Sequence, residues 1–213
     1  MSEIKTKYTL KGTRILTGET LKRKIEFIDK FRKICLDEGF EEMEFPNVTL
    51  LQCFKDKLGD GDTSKQTYTF KDNGNRDLIL NPEITAICQE LANELYKYQK
   101  NKKIFYIQKC YRGENTQKGR YREFTQIGVE ILNPTEDYLT YLSDLSLSIC
   151  KILTSEDEFE TNLLAKRGLG YYIDGEGFEI SYDKLGGQKQ ICGGGKYKEG
   201  IGFAIGLDRL LLI

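Results

Sequence analysis

The chain has 213 residues, enough for one substantial domain with a real core. Its formal net charge of −1 gives no global argument for nucleic acid, so any such contact must be local. It contains no histidine, which excludes a histidine base, a serine–histidine pair and any histidine–metal site.

The first residues, MSEIKTKYTLKG, lack the apolar core of a signal peptide, and no later apolar run is long enough to span a bilayer. Leu21, Ile25, Ile28, Phe31 and Ile34 recur at helical spacing, which predicts a helix over 18–39 with Gly39 as its stop. Residues 41–45 read as a short strand ended by Pro46. Strands over 67–70 and 78–80 flank a turn rich in Asp, Asn and Gly, a hairpin signal. Pro82 opens a second helix reaching about residue 98, at a first turn where its missing N–H is harmless. Residues 104–111 and 121–132 read as two strands joined by a basic, glycine-containing loop. A third helix is predicted over 135–153, then a short acidic link over 154–166 and strands over 177–182 and 188–192. Hairpins with long helices between them suggest an α+β domain, an antiparallel sheet with helices on one side. The six cysteines lie far apart with no CxxC pair, which argues against zinc and fits reduced, mostly buried thiols in a cytoplasm.

The second strand of the central hairpin carries the most information. Arg122, Gln126 and Glu130 share one face by the period of two, while Thr125, Ile127 and Val129 share the other. A core-facing row backed by cation, amide and carboxylate suits the floor of a polar pocket. The loop adds Arg112, Lys118 and Arg120, cations suited to a polyanion such as a nucleoside triphosphate.

Arg112-Gly113-Glu114, then Gly119-Arg120-Tyr121-Arg122-Glu123-Phe124, then Gln126 and Glu130, resembles motif 2 of the class II aminoacyl-tRNA synthetases in its histidyl-tRNA synthetase version. Other segments keep that family's order. Glu44-Phe45-Pro46 resembles motif 1, and Leu80 to Ala86 resembles the amino-acid-binding turn. Lys166 to Tyr172 resembles the histidine-specific segment, Gly193 to Tyr197 the glycine-rich strand, and Gly202 to Leu210 motif 3. The resemblance implies a class II synthetase core, residues 1–213 as a single domain, with no room for the insertion domain and no anticodon-binding domain.

The resemblance also implies roles. Arg112 holds the α-phosphate of ATP and the attacking carboxylate, and Arg167 is the second α-phosphate cation, used in place of a protein-bound metal; these two are the expected catalytic residues. Glu114 contacts the adenine edge, while Arg120 and Arg209 clamp the γ-phosphate. Glu83 and Thr85 hold the α-ammonium of histidine or a similar small amino acid, Gln126 lies near its backbone, and Glu130, Tyr172 and Tyr197 surround the imidazole. ATP with Mg2+ is the expected cofactor pair. The triple glycine 193–195 is expected to allow close backbone approach to the ligand. Asn81, Ile84, Gly170 and Ile173 depart from the family pattern. A homodimer through motif 1 is expected, with transfer-RNA binding weak or absent.

Three readings stay open on sequence. The chain is an enzyme that forms an aminoacyl-adenylate, or a histidine-sensing relative akin to the regulatory subunit of ATP phosphoribosyltransferase, with that enzyme's catalytic subunit as partner. The third is the catalytic domain of a longer synthetase.

Overall fold

Helix α1 (Gly18–Asp37) turns Phe27, Phe31 and Cys35 inward at helical spacing, and they set the position of the main core. The computed structural model describes residues 4, 6–55, 57–58, 65–166, 169–186 and 188–213, so Arg167 and Gly168 lie outside the described residues. Strand β1 (Glu41–Glu42) is shorter than the predicted 41–45, because the Phe45 N–H is taken by the Gln108 side chain at 3.3 Å instead of a neighbouring strand. Strands β2 (Val48–Leu50), β3 (Tyr68–Lys71) and β4 (Asp77–Leu80) form a small antiparallel sheet in the order β2-β4-β3. The β3–β4 turn is fixed by Asp72, whose Oδ1 accepts the N–H groups of Gly74 and Arg76, each at 2.9 Å.

Helix α2 (Thr85–Asn93) is shorter than predicted at both ends. Pro82 precedes it, and Glu83 supplies the start by accepting the Ala86 N–H at 2.9 Å. Strands β5 (Lys102–Tyr111) and β6 (Glu123–Leu132) pair along their whole lengths and form the centre of the large sheet. Helix α3 (Leu139–Thr154) begins four residues later than expected and ends at Ser155, in the left-handed region at φ 62°. The acidic link contains a short edge strand, β7 (Glu160–Asn162), which the sequence reading missed. Strands β8 (Tyr172–Ser181), β9 (Gln190–Tyr197) and β10 (Gly200–Gly206) follow, and helix α4 (Leu207–Leu210) ends the fold.

The large sheet runs β1-β5-β6-β10-β9-β8-β7, antiparallel except where β1 pairs with β5. Helices α1 and α3 cover one face, against Phe105, Ile127, Val129 and Ile131. Helix α2 covers part of the other, against Ile104, Tyr106, Cys110 and Leu132. Helices therefore flank both faces, which corrects the one-sided expectation; alternate residues of β5 and β6 are apolar on both sides, so each face needs a cover. Asn81, one of the family departures, is fully buried: its Nδ2 donates to the Pro46 carbonyl at 2.7 Å and its Oδ1 accepts from Thr49 at 2.7 Å, both beside the small sheet. Its own carbonyl accepts the Tyr111 N–H of β5 at 2.9 Å and so ties the small sheet to the large one. Among the described residues no helix is long and apolar enough to cross a membrane.

Candidate functional site

The α2-side face of β6 is left open beyond helix α2, and a cavity of about 580 Å3 lies there. Its floor is β6, β9 and β10; the loop after β5 and residues 169–172 close its rim. Its size and mixed lining suit a small-molecule site. One end is cationic and the other acidic.

The cationic end has Arg112, Arg120 and Arg209 among its lining residues. Arg112 leaves the end of β5; its Nε donates to the Pro82 carbonyl at 2.8 Å, and its guanidinium lies over the Phe124 ring at 5.2 Å. Arg120 is ion-paired with Glu114, whose carboxylate also stands 4.0 Å from Arg112. Arg209 follows the β10–α4 corner. It donates to the Gly119 carbonyl at 3.3 Å, to the Gln190 carbonyl and to Gln188 Oε1 at 2.7 Å, and burial pulls its pKa down despite the nearby Glu114. Three half-buried guanidiniums face the Glu114 carboxylate, and the nearby Asp208 is taken by Arg14, so the site is short of negative charge, which a polyphosphate would supply.

At the acidic end, Glu83 is buried; burial raises its pKa, while the Ala86 N–H, the Tyr171 hydroxyl and Arg112 act in the opposite direction. Tyr171 donates to Glu83 Oε2 at 3.0 Å. Thr85 and Gln126 line the same end, and the Cys110 thiol meets Gln126 Oε1 at 3.2 Å. Glu130 is 1% exposed, with Oε1 accepting from Thr85 at 2.7 Å and Oε2 from Tyr197 at 2.9 Å. Burial, with the Glu83 charge adding, pushes its pKa up to about 8. Carboxylates so buried, neither of them in an ion pair within 4.0 Å among the described residues, favour a ligand that brings a cation or N–H donors.

The structure gathers ten of the eleven sequence-predicted site residues on this face of the sheet, and the eleventh, Arg167, lies outside the described residues. Two of them, Glu130 and Tyr197, are not at the cavity wall but one layer behind it. Tyr172 lines the cavity and is joined by Tyr171, the rings 4.6 Å apart, with Tyr171 edge-on to Tyr197 at 6.1 Å. Sequence reading passed over Tyr171. A doublet of tyrosines at the start of a strand gives no signal for which ring faces the site, because the bulge between Tyr172 and Gly177 resets the alternation. The triple glycine also differs from expectation: at Gly194 a Cβ would meet the Phe178 ring at 2.4 Å, so that glycine makes room for the core. Gly193 alone of the three lines the cavity. Asp208 and Gln190 line it too and were not foreseen.

Residues 12–139 match the protein-family model described as histidyl-tRNA synthetase. The chain is 27% identical to the histidine–tRNA ligase of Archaeoglobus fulgidus over 306 positions, covering 94% of this chain and 74% of that one. Those 306 positions outnumber the 213 residues here, so the relative carries at least 93 within the aligned span that this chain lacks. The histidine–tRNA ligase of Methanosarcina acetivorans is 39% identical over 125 residues, 57% of this chain and 30% of that one. Among solved structures, the fold is like that of an ATP phosphoribosyltransferase regulatory subunit/histidyl-tRNA synthetase from Bacillus halodurans, with a TM-score of 0.79 at 16% identity, covering 100% and 84% of the two chains. It is also like apo histidyl-tRNA synthetase from Staphylococcus aureus, with a TM-score of 0.75 at 20% identity, covering 97% and 70%.

Proposed function

Since the chain belongs to the histidyl-tRNA synthetase family, we propose that its cavity binds ATP and histidine side by side and joins them as an aminoacyl-adenylate. The observation that carries this reading is one cavity with three arginines at one end and Glu83, Thr85 and Gln126 at the other. The amino acid's ammonium would sit on Glu83 and Thr85, which points its carboxylate toward Arg112. The triphosphate would lie along Arg112, Arg120 and Arg209, with Glu114 released from Arg120 to meet the adenine edge.

The carboxylate oxygen then attacks the α-phosphorus, and the bond to the bridging oxygen breaks with pyrophosphate leaving. No proton has to move, so a site without histidine is adequate; fixed cations stabilise the charge that builds on the phosphoryl oxygens. By family position Arg167 would be the second such cation. Among the described residues no group of three or more Asp, Glu or Cys side chains could hold a metal ion, so Mg2+ would arrive on the phosphate oxygens and add charge neutralisation there.

The internal shortfall against the Archaeoglobus relative supports a core without an insertion domain, so charging of transfer RNA would be poor. The six cysteine thiols, five of them buried, fit a reducing cytoplasm. A second reading, histidine sensing beside a phosphoribosyltransferase catalytic subunit, is favoured by the regulatory-subunit-like fold and by arginines already paired with Glu114 and with backbone carbonyls. The two separate in one assay. An enzyme exchanges labelled pyrophosphate into ATP when given histidine and Mg2+ without transfer RNA, whereas a sensor binds histidine and exchanges nothing. Exchange supported equally by unrelated amino acids would overturn the histidine assignment.

A further inference from the structure

Arg14 belongs to none of the motifs above, yet it is the point where three parts of the nucleotide end meet. Its side chain is 9% exposed. The guanidinium centre lies 3.4 Å over the Tyr121 ring, on the loop that carries Arg120, and Nη2 is bonded to Asp208 Oδ1 beside Arg209. The other Asp208 oxygen accepts the Thr125 N–H of β6, and Lys24 Nζ stands 3.7 Å from Oδ1. The arm bearing Arg14 grips the loop a second time, since the Gly12 carbonyl accepts the Arg122 N–H at 2.7 Å. Gly12 itself sits at φ +89°, and a Cβ there would meet Thr116 at 2.2 Å, so arm and loop are in contact without a gap.

We propose that Arg14 is a positioning residue: it clamps the loop 112–122 to the β10–α4 corner, so that Arg120 and Arg209 face the cavity at a fixed separation. This rests on the nucleotide reading above. The physical case is that the two phosphate-facing arginines sit on separate elements, a loop and a helix start. Phosphate affinity then depends on not having to order them at the moment of binding. Arg14 also leaves its Nε buried without a partner, a cost accepted in return for a flat stack on Tyr121 and a charged bond to Asp208 in one geometry. Lysine would keep the second contact and lose the first.

The test uses the whole chain with Arg14→Met, Arg14→Lys and Tyr121→Leu. Binding of Mg·ATP, AMP and histidine is measured by calorimetry, and hydrogen exchange is followed across 112–122. Arg14→Met should weaken ATP about tenfold while AMP and histidine stay within about twofold, because AMP lacks the phosphates that Arg120 and Arg209 would hold. Arg14→Lys should recover part of the loss. Exchange in the loop should quicken in Arg14→Met and, less so, in Tyr121→Leu, with or without nucleotide. Unchanged ATP affinity, or equal weakening of all three ligands, overturns the proposal. If the unaltered chain binds no ATP, the nucleotide reading fails; the clamp then stands or falls on loop exchange alone, and unchanged exchange refutes it. If Arg14→Met does not fold, Tyr121→Leu decides by the same two readouts.

Discussion

Glu130→Gln removes one ionisable group from the inner layer of the site while leaving its volume unchanged. Thr85 and Tyr197 can turn their hydroxyls to suit the amide, so the hydrogen bonds survive. In the folded chain the Glu130 pKa rises from 4.5 to about 8, mainly through burial. Below pH 4.5 the carboxyl is protonated whether the chain is folded or not, and its contribution to stability is fully present. As pH climbs, the unfolded chain ionises first, and that contribution is lost until the folded pKa is passed. At about 1.4 kcal/mol per pH decade, the span from 4.5 to about 8 amounts to roughly 5 kcal/mol at most, of which 2–4 kcal/mol is the expected loss once Glu83 and solvent readjust. That is a large share of the stability of a domain this size. Urea unfolding at about pH 5 and about pH 8.5 measures it directly. The unaltered chain should weaken across that interval by about 2–4 kcal/mol more than Glu130→Gln does. Equal pH slopes in the two proteins would refute the claim that Glu130 is held protonated by burial.

Tyr171→Phe takes a hydrogen bond from Glu83, raising that carboxyl's pKa further, so histidine affinity should fall about tenfold with ATP affinity unchanged in calorimetry. Arg112→Ala and Arg209→Ala should each weaken ATP about tenfold or more, at about 1.5–3 kcal/mol per charge-assisted contact; unchanged affinity in both would mean the cationic end is not a phosphate site. Leu21, Ile25 and Leu36 stay exposed on α1, so the chain should sediment as a dimer at micromolar concentration, and Ile25→Asp should make it a monomer. A stable monomer before substitution would exclude that interface.

Period and punctuation in the sequence determined the order of helices and hairpins. The face-sharing of Gln126 with Glu130, opposite Ile127 and Val129, was legible because a strand's alternation is a local property. The arginines were legible through motif spacing, since each sits a fixed number of residues from a glycine or a strand end. What the sequence could not carry was anything settled by contacts between distant segments. At the start of helix α2 the Glu83 side chain takes the Ala86 N–H, and Gly194 is glycine because a ring on another strand needs the space. Tyr197 lies behind the cavity wall with the Tyr171 ring edge-on against it at 6.1 Å, a contact between separate segments of the chain. Arg14 reaches Asp208 across 194 positions of sequence, a distance over which no spacing rule holds. Only the assembled sheet brings such groups together, and burial then sets their charge.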